Sequence, residues 1–137
     1  MLSYSVSYTG VFLAARVGFI LALIWWGPLF GMKWAKMMGY SEKDMKKAKE
    51  KGMAQPMIVM FIADLIMAFV LSVLMMSTGM TAMSAALTLG FWVWLGFIAT
   101  VGIGIVLWDN KPMNLFWLNS FGWLVAILGM SATLTMF

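Results

Sequence analysis

The stretch PMIVMFIADLIMAFVLSVLMM, residues 56–76, decides the fold, because it carries a single charge, Asp64, along its whole length. At helical rise, about 20 consecutive apolar residues cross the hydrocarbon core of a bilayer. Three more runs flank it. Residues 9–28 contain one charge, Arg16, and residues 82–108 and 112–137 contain none. Lipid offers no partner to an unsatisfied backbone group, so a span must be a helix or part of a closed barrel. The alternating polarity of barrel strands is absent. The reading is an all-α integral membrane protein. It is a single transmembrane domain over 1–137, with helices over about 9–28, 56–76, 82–108 and 112–137 and a cytoplasmic loop over 29–55.

Composition narrows the function. The chain is 64% apolar and 10% charged, far from the soluble average. It contains no Cys and no His. That removes disulfides, thiol nucleophiles, zinc sites of the usual kind and imidazole proton chemistry together. Haem would lack its usual side-chain ligand. No phosphate-cradling loop, metal-ligand cluster or nucleophile–base set appears. The expectation is a protein that is not an enzyme, with no cofactor and no nucleic-acid partner. The first span is not read as a cleaved signal, since it lacks a basic leading segment and runs into Gly-Pro and lysines.

Charge placement orients the spans. Lys33, Lys36, Lys43, Lys46, Lys47, Lys49 and Lys51 lie between spans one and two, and Lys111 lies between spans three and four. An even number of crossings separates these loops, so they share a side. The positive-inside rule makes that side cytoplasmic and places both termini outside, in a multi-pass protein of the cell membrane. The short turns at 77–81 and 109–112 favour an up-down four-helix bundle. Within the basic loop, Ser41 and Asp44 form a capping-box-like start, acids fall in the first turn and lysines in the last. A short helix from about Glu42 to Lys51 is predicted, ended by Gly52. Its lysines suit a solvated face or contact with anionic headgroups.

Small residues suggest where helices touch. Gly10, Ala14, Gly18 and Ala22 recur every four residues in span one, and Gly96, Thr100 and Gly104 do so in span three. Such stripes let backbones approach closely in lipid, either within the bundle or between copies.

The segments WWGPLFGMKW, GYSEKDMKKAKEKGM, FIADLIMAFVL and GFWVWLGFIATVGIGIVLWDNKP follow in this order along nearly the whole chain. Together they resemble the domain of unknown function 1761 family. The resemblance implies a small protein of four membrane helices and carries no activity with it. Arg16 lies outside these segments, and Asp64, though inside FIADLIMAFVL, is not part of the pattern that carries the resemblance.

In the first of those segments, Trp25, Trp26 and Trp34 are placed at the headgroup level, where an amphipathic ring is favoured. Gly27-Pro28 ends or kinks the helix there. The competing reading is a re-entrant aromatic pocket for a lipid or partner.

Arg16 and Asp64 are the two charges deep in the spans, and intramembrane charge is a functional hypothesis by default. Three readings stand: an ion pair between neighbouring spans, separate snorkelling or partner contacts, or an ion or proton path. Met76, Met80 and Met83 near the outward turn offer soft thioethers of the kind that suit Cu(I). Methionine is also a common adaptable filler, and no metal site is assigned. The function expected is a helix-packing subunit, acting as a homo-oligomer or as an accessory of a membrane complex among lipids. The alternative is a small oligomeric transporter or channel for a proton, ion or small solute, using Asp64 or Arg16.

Overall fold

A computed structural model of the chain describes residues 6–137. The N-terminal end of the expected domain, residues 1–5, lies outside the described residues. All regular structure among the described residues is helical. Four helices are long and apolar enough to cross a membrane: Tyr8–Leu29, Ala54–Thr78, Met83–Trp108 and Met113–Met136.

Span one begins at α1 (Tyr8–Ile24). Its N-cap is Ser7, whose hydroxyl accepts from the Gly10 N–H at 3.1 Å. The helix then widens into a π-turn over Trp25–Leu29, where Gly27 leaves helical backbone angles ahead of Pro28. Proline has no N–H to give and its ring crowds the preceding turn, so a regular α-helix cannot pass through it. The chain re-forms as α2 (Gly31–Met38), which stops at Gly39 in the left-handed conformation. The lysine-rich α3 (Glu42–Lys51) comes next. Ser41 Oγ accepts from the Asp44 N–H and Asp44 Oδ2 accepts from the Ser41 N–H, so the two satisfy each other's free donors. The Ser41 backbone N–H, and after it the Ser41 hydroxyl, hold the Asp44 carboxyl below its ordinary 3.8.

Span two is the single helix α4 (Ala54–Thr78), closed by Gly79 at φ 73°. Span three is interrupted: α5 (Met83–Val93) passes through a second π-turn, Trp94–Ala99, into α6 (Thr100–Trp108). Asn110, at φ 54°, turns the chain into α7 (Met113–Met136), which begins after Pro112. Asparagine tolerates that left-handed region better than most residues, and proline just before a helix gives up no N–H that the helix would use.

Span four is the hub. It is the most buried of the four and span three the least. The α7 helix packs most extensively on α1, then on α5, and also meets α2, α4 and α6. The second large contact of α1 is with α4. By contrast α4 and α5, joined by a short turn, touch little, and no comparable packing joins α4 to α6. The halves of spans two and three nearest the lysine-bearing loops therefore stand apart.

The core is built of small residues and a few large ones. Ala14, Ala15, Ala68 and Ala86 are fully enclosed, as are Ile127 and Met130. Phe61 of α4 lies edge-on to both Phe12 and Phe19 of α1, with ring centroids 5.9 and 5.7 Å away. Ala15, between those two phenylalanines in sequence, has no exposed surface. A small residue flanked by rings is how an apolar helix pair fills space without polar glue.

Candidate functional site

The two π-turns converge on one short length of span four. Each begins at a tryptophan, and each of those indoles donates to a main-chain carbonyl of α7. Trp25 Nε1 donates to Leu118 O at 3.0 Å, and Trp94 Nε1 donates to Ser120 O. Between these two acceptors, Asn119 Oδ1 accepts from Trp26 Nε1 at 2.9 Å. Three consecutive residues of span four thus receive three indole N–H groups. A buried indole needs a partner for its one donor, and a π-turn re-aims side chains by adding a residue to one turn, often at functional positions. Aromatic packing extends the arrangement. Trp94 stacks on Phe121 and Phe121 on Trp117, while the Trp26 ring lies 5.8 Å from that of Trp123.

The interfacial residues expected from sequence therefore divide. Trp25 and Trp26 are half-buried against span four, Trp34 is half-buried on α2, and Pro28 is exposed. Trp25 and Trp26 serve as clamps on a neighbouring helix, which the headgroup reading did not anticipate.

The small-residue stripes also divide. In span one, Gly10, Ala14 and Gly18 are buried and Ala22 is half-buried. A Cβ on Gly18 would stand 2.1 Å from Met130 Cε, and one on Gly10 would stand 3.2 Å from Phe137 Cβ. That stripe packs inside the chain. In span three the stripe does not pack within the chain. Gly96 and Thr100 are exposed, and a Cβ on Gly96 or Gly104 would meet nothing within 4 Å. The π-turn over Trp94–Ala99 is the cause. It adds a residue to one turn and rotates the rest of the span, so that Ala99 and Val106 lie buried while Thr100 turns outward. The glycines of span three that do meet span four are Gly90, beside Ser131 and Ile127, and Gly102, beside Ser120 and Phe116.

The ion pair considered between Arg16 and Asp64 is not formed. Arg16 is exposed, with its guanidinium carbon 5.8 Å from the centre of the Phe12 ring. Asp64 is only 3% exposed on α4, in line with Ala68, Leu71 and Met75. The two side chains leave their helices in different directions, one outward and one into the packing. Among the candidate thioethers, Met83 Sδ accepts from the Thr135 hydroxyl at 3.8 Å, and Gly79 breaks the helix between Met76 and Met80. Among the described residues, no three His, Cys, Asp or Glu side chains gather into a metal-binding group.

A cavity of about 430 Å³ lies where spans two and three stand apart. Met67 of span two and Phe97 of span three edge it, Trp34 of α2 closes one side, and Phe116 and Trp123 of span four form its wall. Asn119 and Ser120, the clamped residues, also line it, and Asp109 and Lys111 stand at its end. Lys111 Nζ donates to Met38 O at 2.9 Å, which ties the end of α2 to the turn before span four.

Several of these residues escape sequence reasoning. Gly122 and Gly129 are pressed by Trp25, Trp26, Val17 and Leu21, yet neither belongs to a stripe predicted from sequence. Their signal is present, since Gly122 and Ala126 are four apart, as in span one. Lys111 enters the sequence reading for topology alone.

Comparison with known proteins places the chain only at the level of its family. Neither the curated proteins nor the solved structures give a match. A family model described as "Protein of unknown function (DUF1761)" matches residues 9–135, nearly the whole chain. Both tryptophan-bearing π-turns fall within that match, as do the four apolar helices but for Tyr8 and Met136 at the ends, and the chain belongs to the DUF1761 family.

Proposed function

We propose that this protein is a non-enzymatic, multi-pass membrane subunit that acts by self-association. In this reading the four spans form an up-down bundle in the cell membrane, the lysine-bearing loops face the cytoplasm and both termini face outward. The distribution of lysines supports the orientation.

The observation that carries self-association is the outward face of span three. Gly96, Thr100 and Gly104 run along the least buried span with open space over both glycines. In lipid, helices gain little from burying apolar side chains, because the tails are equally apolar. They associate by close backbone contact at small residues. A second copy presenting the same stripe across a two-fold axis supplies such a contact with no foreign chain.

The test is the oligomeric state in detergent and in vesicles, by light scattering and cross-linking. The wild-type chain is expected as an oligomer, and the double variant Gly96→Leu/Gly104→Leu as a folded monomer. A wild-type monomer in vesicles, or an oligomer unmoved by the double variant, would sink the reading.

A further inference from the structure

We infer that the cavity between spans two, three and four holds one acyl chain of a monoanionic phospholipid from the inner leaflet, with its phosphate at Lys111. The inference rests on the membrane reading and does not depend on self-association.

Its volume of about 430 Å³ falls within the range of ligand sites, which are apolar with a few convergent polar groups. The walls are of that kind. Phe97, Phe116 and Trp123 offer aromatic and apolar surface, Asp109 and Lys111 stand at one end, and Asn119 and Ser120 are the polar groups farther along the wall. The opening is lateral, because α6 packs on α7 and not comparably on α4. A chain can slide in from the leaflet there while the second chain of the same lipid stays outside.

Charge selects the headgroup. Lys111 is half-buried, and its ammonium spends one of its three donors on Met38 O. It makes no ion pair among the described residues, so two of its donors are uncommitted where it lines the end of the cavity. A phosphate oxygen matches that need. Lys33 and Lys36 on the neighbouring α2 are exposed and add to the positive field. Asp109 lines the same end and is exposed. Its carboxylate opposes a second negative charge, which favours a phosphodiester over a phosphomonoester.

The experiment is native mass spectrometry of the purified full chain, titrated separately with phosphatidylglycerol and phosphatidylcholine. One phosphatidylglycerol per chain is expected, preferred over phosphatidylcholine by about fivefold, the effect of one well-placed cation. Lys111→Gln should abolish that preference and Lys111→Arg should keep it. Ile105→Trp, at an exposed position on the lip, should block uptake without disturbing the fold. The monomeric Gly96→Leu/Gly104→Leu variant should bind as the wild type does, which separates this inference from the oligomer reading. Equal retention of both lipids, equal loss in Lys111→Arg and Lys111→Gln, or undiminished binding in a folded Ile105→Trp would each overturn it.

Discussion

Trp26 donates its indole N–H to Asn119 Oδ1 at 2.9 Å, across 93 residues of sequence. The bond ties the end of the first span to the first third of the hub helix. Interhelical hydrogen bonds in membranes average about 0.6 kcal/mol, because the separated helices also find partners. Trp26→Phe keeps most of the ring and removes the donor. Its expected cost is about 0.5–1.5 kcal/mol, read as thermal stability in detergent. Asn119→Leu should cost a similar amount, and the double variant less than the sum. Full additivity would show that the bond contributes nothing.

Gly122 lies under the same clamp. A Cβ there would stand 2.6 Å from Trp25 Cδ1 and 2.7 Å from the far edge of the Trp26 ring. Rigid indoles cannot yield as a methionine can. Gly122→Ala is therefore expected to destabilise by about 1–3 kcal/mol through overpacking. Within its own chain Gly104→Ala meets open space, so in detergent dilute enough to hold the monomer it should be neutral or stabilising, by up to about 1 kcal/mol from backbone entropy. A comparison of the two melting temperatures checks the assignment. If Gly122→Ala melts with the wild type, the clamp is loose.

Arg16 and Asp64 present a different expectation. Removing one member of a buried ion pair costs about 3–5 kcal/mol because the other charge is stranded. Here Arg16 lies exposed over Phe12 and leaves no partner behind. Arg16→Leu should change stability by no more than about 0.5 kcal/mol. In a double-mutant cycle with Asp64→Leu the coupling should fall below about 0.5 kcal/mol. Strong coupling would restore the pair and overturn this placement.

Acid should loosen the start of α3. Asp44 has its carboxyl held below the ordinary 3.8 by the Ser41 N–H and hydroxyl. The folded form therefore favours the carboxylate. Its contribution is present above pH 3.8 and disappears as pH falls through the lower value of the capped helix. Amide exchange at residues 44–47 should accelerate over that interval. Asp44→Asn should remove the pH dependence, and a profile that survives the substitution would place its origin elsewhere.

The all-helical class and the four helices long and apolar enough to cross a membrane were legible in local quantities. Long runs almost without charge leave the backbone no choice but to satisfy itself, and a helix is the structure that does so within one segment. Family membership was legible for a similar reason, since its aromatic, glycine and lysine signatures lie in contiguous segments. Which face of each span turns inward was decided only by the tertiary structure. Soluble helices advertise their buried face by polarity, whereas a span in lipid is apolar all round and its hydropathy marks no side. Gly18 and Gly104 look equivalent in their stripes, yet one is pressed by Met130 and the other meets open space. The difference arises at Trp94–Ala99, where one added residue rotates the rest of span three and no residue type announces the change. The three indole bonds to Leu118, Asn119 and Ser120 likewise depend on how span one settles against span four. The cavity exists because spans two and three, joined in sequence by a short turn, are each drawn toward other helices. Those are competitions among packing surfaces of nearly equal polarity, and only the assembled chain resolves them.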